Sequence, residues 1–441
     1  MLKGRNVLVV GMGRSGVSAA RYALNQGAVV TVTDGRTDAP TIDGATHRYG
    51  GLEEGDFAAA ELIVVSPGVP AATPAIARAM ARGATVVSEL AFAAERLQER
   101  RIPLIGITGT NGKSSVAWFT TQLLEAAGHS VFLGGNFGTP LTELLAVHPP
   151  PDFAVVEISS YQLELPGNLA PTAAACLNLA RDHLGRHGTM DRYAEHKLRL
   201  FHRMPTTGHA AIPSDPEANP GGRLTHAGTR AQPLWLDAHP GIANIDGTPV
   251  LSGTPDDGPI DLSAMTLLGA HNRDNAAAAI LLAVTAGVAR ADIDVGCLTA
   301  LPHRLEPVHT TAGVTWVNDS KATNIDAAIV GIRGIVRPKI VLLGGAGKAG
   351  SDYSRLKAVL DGSIRSVICF GEAGQEIADS IDARANVTCV STLSDAVHAA
   401  ARAAVPDDVV LLSPACASFD EFTNFEERGH AFTALAKEAA P

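Results

Sequence analysis

Three times along this chain, a short run of aliphatic residues ends in a glycine-containing turn or a strand-end loop and is followed by helix-like sequence. The three runs begin at residues 7, 103 and 314. This alternation predicts parallel sheets with helical crossovers. Compact domains usually hold roughly 100 to 200 residues, so 441 residues exceed one domain. We therefore predict an α/β protein of three domains: a Rossmann-like domain over 1–93, a P-loop-type mononucleotide-binding domain over 94–298 and a second Rossmann-like domain over 299–441.

Further strands are predicted wherever β-branched or aliphatic runs precede a turn. These runs are residues 29–32, 62–65, 85–87, 153–158, 173–177, 340–343, 367–370 and 409–412. Residues 205–262 are rich in Pro, Gly, Thr and His and are predicted to be mostly loop. Ligands of open α/β sheets bind at the carboxyl ends of strands, so the loops after these strands are the candidate sites.

Composition narrows the class of partner. The net charge of −10 argues against a nucleic-acid binder, which usually carries a basic excess. Five widely spaced cysteines without a CxxC pair fit a reducing cytosol. We also find no signal-peptide pattern and no uninterrupted run of about 18 apolar residues, so no membrane span is expected. The expectation is a cytoplasmic enzyme.

The first glycine motif is GMGRSG at residues 11–16, and Asp34 lies 18 residues after Gly16. This GxGxxG spacing between a strand and a helix predicts a turn that binds a diphosphate through backbone N–H groups. Taken alone it favours NAD or FAD, and therefore an oxidoreductase, over a purely structural turn. Both interpretations stay open at this point.

The second motif is TGTNGKSS at residues 108–115. Its backbone N–H groups, Lys113 and the Ser114 hydroxyl are the groups that a P-loop uses for phosphates and Mg²⁺. Ile107 stands where the first glycine of a full P-loop belongs. The predicted nucleotide-binding residues here are Gly109, Thr110, Asn111, Gly112, Lys113, Ser114 and Ser115.

TGTNGKSS resembles the shortened P-loop of the Mur ligases and the related folylpolyglutamate synthases. The resemblance implies a three-domain enzyme in which ATP phosphorylates a carboxylate and an amine then attacks the acyl phosphate. Peptide and folate precursors are both compatible with this motif.

Three further segments of the second domain resemble the same family: EISSYQLE, NLARDH and YAEHK. By themselves, they would be read as a solvated glutamate, an ordinary histidine and an exposed lysine. The resemblance implies instead that Ser114 and Glu157 coordinate one Mg²⁺, that His183 is a ligand of a second Mg²⁺, and that Lys197 is carbamylated and also binds Mg²⁺. It further implies that Lys113, Glu157, His183 and Lys197 are the catalytic groups. Gly185 stands where the family commonly has an acid, so a role for that acid is not expected here.

The segments GAHNRDN, LPHR and NDSKATN also resemble family elements, although capping and packing could explain each. The resemblance implies that they contact ATP through Asn272, Asn275, Arg304, Asp319 and Lys321. Arginine suits such a role because its fork matches phosphate oxygens.

The segment LLSPACASFDEFTNFEERG resembles the glutamate-adding members of the family. This implies a glutamate site made by Thr323, Lys348, Ser418 and Phe425. It also implies that the first glycine motif binds UDP-N-acetylmuramoyl-L-alanine, with contacts from Gly13, Arg14, Ser15, Gly16, Arg36, Gly68 and Asn136.

The expected reaction is therefore addition of D-glutamate to that substrate during peptidoglycan precursor synthesis. The enzyme is expected to be a monomer whose domains close on the substrates. Addition of L-glutamate, a dinucleotide-dependent oxidoreductase and an inactive binding homologue remain as alternatives.

Overall fold

The computed structural model describes residues 2–348, 350–381 and 386–438. The first of its three sheets has five strands, all parallel. The strand order is β3-β2-β1-β4-β5. Its strands are β1 Asn6–Val10, β2 Val29–Asp34, β3 Thr46–Tyr49, β4 Leu62–Val65 and β5 Thr85–Ser88, and its helices are α1 Arg14–Asn25, α2 Glu54–Ala59, α3 Pro74–Ala81 and α4 Glu89–Glu99. The order reverses at β1, which is where such folds bind ligands.

The second sheet has nine strands. They are β6 Leu104–Thr108, β7 Val131–Gly135, β8 Phe153–Glu157, β9 Ala173–Cys176, β10 His209–Ile212, β11 Gln232–Trp235, β12 Gly241–Ile245, β13 Thr248–Ser252 and β14 Gly258–Pro259. The order is β14-β13-β12-β11-β10-β9-β6-β8-β7, and only the pairs β12–β13 and β13–β14 are antiparallel. The accompanying helices are α5 Lys113–Ala126, α6 Leu141–Leu144, α7 Leu184–His187, α8 Met190–Leu198 and α9 Ala270–Thr285.

The segment 205–262 is mostly loop, as predicted, but it also contains five short strands, β10 to β14, which the sequence did not resolve and which extend the sheet at one edge. These strands have two to five residues each and are separated by Pro- and Gly-rich turns. Runs this short do not show a clear alternation of polar and apolar residues.

The third sheet has six strands in the order β15-β16-β20-β17-β18-β19, with only β15 antiparallel to its neighbour. The strands are β15 Glu306–Thr311, β16 Val314–Asn318, β17 Lys339–Gly344, β18 Ile364–Phe370, β19 Val387–Cys389 and β20 Val409–Ala415. The helices are α10 Ile325–Gly334, α11 Gly374–Ile381, α12 Leu393–Ala403 and α13 Phe425–Glu438. Short 3₁₀ helices lie at Gln162–Glu164, Arg199–Phe201, Pro220–Gly222, Arg290–Asp292, Val295–Cys297 and Tyr353–Val359.

The chain forms two compact units. One contains the first two sheets and comprises residues 1–265 and 275–298, and the other contains the third sheet and comprises residues 266–274 and 299–441. The predicted three-domain α/β fold is confirmed, while the exact domain boundaries at 93 and 298 stay predictions. No helix among the described residues is long and apolar enough to cross a membrane.

The central strands are buried along their whole length, as in β4, β6, β8, β9 and β20. Parallel strands covered by helices on both faces need apolar side chains at successive positions, which explains the continuous runs. Polar side chains in these strands are confined to their carboxyl ends, where the candidate sites begin.

Glu89 is a carboxylate inside the first unit. It begins α4, is 1% exposed, and accepts hydrogen bonds from the backbone N–H and the hydroxyl of Thr142, both at 2.7 Å. The Thr142 hydroxyl also lies 2.6 Å from the Ser18 hydroxyl, while Glu89 Oε2 has no partner among the described residues. Burial raises the pKa of Glu89 to about 7.

We predict that Glu89→Gln stabilises the protein at alkaline pH. The folded-state pKa lies above the ordinary value of 4.5, so ionisation opposes folding increasingly as pH rises from about 4.5 to 7. At pH 8 the variant should gain on the order of 3 kcal/mol in unfolding free energy, because each pKa unit corresponds to about 1.4 kcal/mol. Denaturant unfolding at pH 5 and pH 8 measures this.

The matched control for that experiment is Glu99→Gln, at the exposed end of the same helix. It should show no pH-dependent gain. An equal gain for Glu89→Gln at both pH values would contradict the assignment of a raised pKa.

Candidate functional site

The first glycine turn is closely packed at the switch point of the first sheet. Gly11 has φ of +87°, in the left-handed region that favours glycine. A Cβ on Gly16 would overlap the Gly11 carbonyl oxygen, which accepts a hydrogen bond from the Ser66 hydroxyl at 2.5 Å. The motif therefore forms the tight strand-to-helix turn that its spacing predicts. Gly13, Arg14 and Gly68 are exposed beside it, and Ser15 is half-buried.

Both carboxylate oxygens of Asp34 accept hydrogen bonds from groups of the protein. It accepts from the Met12 N–H at 2.7 Å and from the Arg36 guanidinium at 3.1 and 3.0 Å. The hydrogen bond from Arg36 is the largest cause that lowers the pKa of Asp34 to about 2. A dinucleotide enzyme uses the acid at this place to bind a ribose hydroxyl. Here the acid anchors Arg36, whose side chain is 57% exposed beside the turn, so the oxidoreductase interpretation is weakened.

The P-loop follows β6 and is shaped by one asparagine from a neighbouring strand end. Asn178 Oδ1 accepts from the N–H groups of Thr110 and Asn111, at 3.1 and 2.8 Å, and its amide donates to the Asn111 carbonyl at 3.1 Å. Gly112 has φ of +81°, and a Cβ there would lie 2.7 Å from Asn275 Oδ1. The loop is thus held in one conformation, with Asn275 of α9 beside it.

Two lysines meet at the Gly109 carbonyl oxygen. Lys113 Nζ donates to it at 3.0 Å and also to the Thr110 carbonyl at 2.7 Å, while Lys197 Nζ donates to it at 2.6 Å. The expectation of an exposed Lys197 was wrong, because this residue is 1% exposed. Its ammonium also lies 4.5 Å from the centre of the Tyr193 ring. Burial, with Lys113 as a smaller cause, lowers the pKa of Lys197 to about 7.

Glu157 ends β8, next to the P-loop strand. Asn136 donates from its amide to Glu157 Oε1 at 2.7 Å, so the predicted substrate residue and the predicted metal ligand are in contact. Glu157 is 2% exposed, and its Oε2 has no hydrogen-bond partner among the described residues. A buried carboxylate oxygen without a donor is a fitting ligand for a hard cation such as Mg²⁺. Ser114, at the start of α5, is also buried.

His183 and Arg186 lie on the loop and helix that follow β9. His183 is exposed, and its Nδ1 lies 3.0 Å from the Tyr161 hydroxyl. Arg186 donates to both oxygens of Glu164, at 2.7 and 3.0 Å, and to the Val69 carbonyl at 3.1 Å. Arg186 therefore ties this loop to the loop after β4, which contains Gly68.

In the second unit, the loop after β16 contains Asp319 and Lys321. Asp319 accepts from the Ser413 hydroxyl at 2.7 Å, and burial raises the pKa of Asp319 to about 7, with Arg304 acting in the opposite direction. Lys321 Nζ lies 3.7 Å from the centre of the Phe425 ring, a cation–π contact. Phe425, predicted to line the glutamate site, is therefore in contact with a residue predicted to bind the nucleotide.

A fully buried arginine joins two loops of this unit. Arg428 donates to the Ser320 hydroxyl and carbonyl, at 3.0 and 2.9 Å, and to the carbonyls of Ala417 and Cys416, at 2.9 and 3.0 Å. Burial lowers the pKa of Arg428 to about 10. It thereby connects the loop of Thr323 with that of Ser418.

The Ala346 N–H donates to the Ala417 carbonyl at 2.9 Å, which brings in the loop of Lys348 as well. Ser418 is 2% exposed and Lys348 is exposed. The strands before these three loops, β16, β20 and β17, are neighbours in the sheet, so the predicted glutamate residues share one edge.

Sequence reasoning missed several residues that organise the site: Asn178, Tyr161, Glu164, Arg186 and Arg428. A signal was available for Arg428. Phe425, Arg428, Gly429 and Phe432 follow the i, i+3, i+4, i+7 pattern of one helix face, so the arginine lies on an apolar face and is buried. For the others, the contacts join distant segments and have no local signature.

Comparison with known proteins identifies the family. The model of the Mur ligase MurD-like N-terminal domain matches residues 5–88, that of the Mur ligase middle domain matches 107–283, and that of the Mur ligase glutamate ligase domain matches 303–416. The chain belongs to the Mur ligase family.

Full-length relatives include two UDP-N-acetylmuramoylalanine–D-glutamate ligases. That of Anaeromyxobacter dehalogenans is 41% identical, with 100% of this chain and 99% of the relative covered. That of Myxococcus xanthus is 38% identical, with 99% of each covered. The chain therefore matches these relatives along their whole length.

Solved structures show the same fold. MurF of Acinetobacter baumannii matches with a TM-score of 0.63 at 15% identity, covering 99% of this chain and 92% of that one. MurF ligase of Thermotoga maritima, in complex with ADP, matches with a TM-score of 0.59 at 17% identity, covering 100% and 96%.

We predict that Asn178→Ala weakens the binding of nucleoside triphosphate at least roughly 10-fold, because two P-loop N–H groups lose their fixed acceptor. Isothermal titration with ATP measures this. The control is Asn168→Ala, an exposed asparagine whose amide donates to Glu95 away from the P-loop. Unchanged ATP affinity in Asn178→Ala would show that the loop keeps its shape without it.

Proposed function

We propose that this chain is the ATP-dependent ligase that adds D-glutamate to UDP-N-acetylmuramoyl-L-alanine, a step of peptidoglycan precursor synthesis. The observation that carries the proposal is the full-length match to ligases of that name, at 41% and 38% identity. The P-loop and the match to the glutamate ligase domain over residues 303–416 agree with it. We further propose that the enzyme acts in the cytoplasm as a monomer.

The nucleotide half of the reaction is assigned to the loop after β6. Its N–H groups and Lys113 bind the terminal phosphates of ATP, and the positive charge of Lys113 stabilises the phosphoryl group during transfer. Asn275 lies beside Gly112 and is proposed to contact the nucleotide. In the second unit, Arg304, Asp319, Lys321 and Asn272 are proposed to contact ATP, with the Asn272 amide fixed by a 2.7 Å hydrogen bond to the Leu268 carbonyl.

Two Mg²⁺ ions are proposed, one held by Ser114 and Glu157 and a second held by His183, with the carbamate of Lys197 as a further ligand. The unpartnered Oε2 of Glu157 supports this assignment, because a buried carboxylate oxygen needs either a donor or a cation. The metal would supply positive charge that neutralises the phosphates. Asn136 orients Glu157 through its amide, so it also acts on the position of this ligand.

Lys197 is assigned a carbamate rather than an ammonium. As an ammonium it cannot be a metal ligand, and it would lie buried against a second lysine at the Gly109 carbonyl. With a pKa of about 7 instead of 10.5, a large part of its amine is unprotonated at neutral pH. An unprotonated amine is the nucleophile that CO₂ requires, and the product is an anion suited to this cationic surrounding.

The sugar nucleotide is assigned to the first sheet. The turn from Gly13 to Gly16 offers N–H groups and the start of α1 to the diphosphate. Arg36, oriented by Asp34, adds a cation beside the turn. Gly68 lies on the loop that Arg186 ties to the loop of His183, so one side chain positions a proposed substrate-binding loop and a proposed metal-binding loop.

Glutamate is assigned to the three joined loops of the second unit. Lys348, Thr323 and Ser418 supply a cation and two hydroxyls, which suit the side-chain carboxylate of glutamate. Phe425 is proposed to line the same glutamate site. Arg428 acts through these loops as a positioning residue, since its donors hold Ser320, Cys416 and Ala417.

The chemistry follows from these positions. A carboxylate oxygen of the alanyl group attacks the γ-phosphorus of ATP, ADP leaves, and an acyl phosphate forms. The glutamate amine then attacks the acyl carbon and loses a proton, and inorganic phosphate leaves. The chain contributes mainly orientation and electrostatic stabilisation.

The proposal is tested by product mass and phosphate release with ATP, Mg²⁺ and UDP-N-acetylmuramoyl-L-alanine, with D-glutamate, L-glutamate or no amino acid. We expect one phosphate per adduct with D-glutamate and little of either product in the other two reactions. An L-glutamate adduct would show that the amino-acid substrate is L-glutamate and not D-glutamate. The absence of any adduct would contradict the proposal.

We predict that Lys197→Ala abolishes turnover and that added bicarbonate does not restore it, since no amine remains to carry the carbamate. Steady-state phosphate release measures this. Lys437→Ala, an exposed lysine in α13, should retain the wild-type rate. Activity of Lys197→Ala within about 10-fold of the wild type would remove this residue from the mechanism.

A further inference from the structure

A glutamate and two histidines lie close together near the loop of His183. This cluster has no role in the proposed reaction. One potential ligand atom from each of Glu164, His187 and His196 lies within 4.8 Å of the other two. Glu164 belongs to the 3₁₀ helix Gln162–Glu164, His187 ends α7, and His196 is on α8. Three separate elements thus converge on one point.

The two imidazoles are incompletely satisfied. Nδ1 of His187 and Nδ1 of His196 are both buried without a hydrogen-bond partner among the described residues. His187 is 2% exposed, and the two ring centres are 5.0 Å apart. Leaving a buried polar atom unpaired costs roughly 1–3 kcal/mol, so two such atoms in one cluster indicate a missing ligand.

The remaining contacts prepare His187 to bind a cation. Its Nε2 lies 2.9 Å from the Ser160 hydroxyl. When Nε2 carries the proton and donates to Ser160, the Nδ1 lone pair is available, which is the arrangement of a metal-bound histidine.

We propose that Glu164, His187 and His196 form a binding site for a divalent transition metal of the zinc class. Two imidazole nitrogens and one carboxylate oxygen are a donor set typical of Zn²⁺, whereas Mg²⁺ prefers oxygen ligands. The site is separate from the proposed Mg²⁺ ligands, because it uses none of Ser114, Glu157, His183 or Lys197. Nothing in it depends on the ligase assignment.

Arg186 lowers the affinity of this site for Zn²⁺. Its guanidinium donates to both oxygens of Glu164, and the Ala71 N–H donates to Oε2 at 3.0 Å. The guanidinium partly neutralises the Glu164 carboxylate, so Zn²⁺ binds more weakly here than in a structural zinc centre. Oε1 accepts only from Arg186 among the hydrogen bonds of the described residues, and it is the oxygen with capacity for a metal.

The consequence of binding is local stiffening. His187 lies four residues after His183, and His196 immediately precedes Lys197. A metal bridging α7 and α8 therefore links the two segments that contain proposed catalytic groups. At a concentration about 100 times the dissociation constant, Zn²⁺ should raise the melting temperature by roughly 5 °C.

The test is calorimetric titration of the metal-free full chain with ZnCl₂ in millimolar MgCl₂ without nucleotide, together with melting curves. We expect one Zn²⁺ per chain, an affinity at least roughly 10-fold lower in His196→Ala and His187→Ala, and a melting shift in either variant of at most about half the wild-type shift. His202→Ala, an exposed histidine of the same unit, should bind Zn²⁺ like the wild type.

Glu157→Gln separates the new site from the Mg²⁺ site and should leave zinc binding intact. The inference is overturned if the wild type takes up no zinc, if His196→Ala binds it unchanged, or if Glu157→Gln abolishes binding. His196 is only half-buried, so its variant decides the matter even where His187→Ala does not fold.

Discussion

Two ammonium groups at one carbonyl oxygen constrain the first unit. Lys113 and Lys197 both donate to the Gly109 carbonyl, and Lys197 is almost completely buried. Like charges this close are unfavourable unless anions join them or one group loses its charge. The P-loop, the unpartnered oxygen of Glu157 and the lowered pKa of Lys197 are all consistent with a site built for phosphates, a divalent cation and a modified lysine.

Strand order explains why distant segments meet there. β6 lies between β8 and β9, so the P-loop, Glu157 and Asn178 emerge at the carboxyl ends of three adjacent strands. In the second unit β20 lies between β16 and β17, which places the loops of Thr323, Ser418 and Lys348 side by side. The same rule places the glycine turn, Asp34 and Ser66 together in the first sheet.

Much of this could be predicted from local sequence. The buried strands are continuous aliphatic runs, and the glycine turns identify the loops that follow them, so the fold class and most ligand loops were predictable. The five short strands between His209 and Pro259 were not, because runs of two to five residues between Pro and Gly have no clear period. The phosphate-binding role of the P-loop came from its motif, whereas the other ATP contacts and the sugar-nucleotide and glutamate roles came from family resemblance.

Burial was the property that sequence predicted least well. A lysine in a helical segment such as Tyr193–Lys197 is expected to be exposed. In the folded chain, α8 packs so that the Lys197 side chain reaches the Gly109 carbonyl. The pairs Asn178 with Asn111 and Arg186 with Glu164 depend on chain segments 67 and 22 residues apart. Such contacts follow from the completed fold and have no signature in either segment alone.

The central claim is that Lys197 works as a carbamate beside Lys113. The direct measurement is the ¹³C NMR spectrum of the protein equilibrated with ¹³C-bicarbonate at pH 8, compared with Lys197→Ala and Lys437→Ala. The account predicts a lysine carbamate signal that is present in the wild type and in Lys437→Ala and absent in Lys197→Ala. A wild-type spectrum without this signal, or a signal that survives Lys197→Ala, would contradict it.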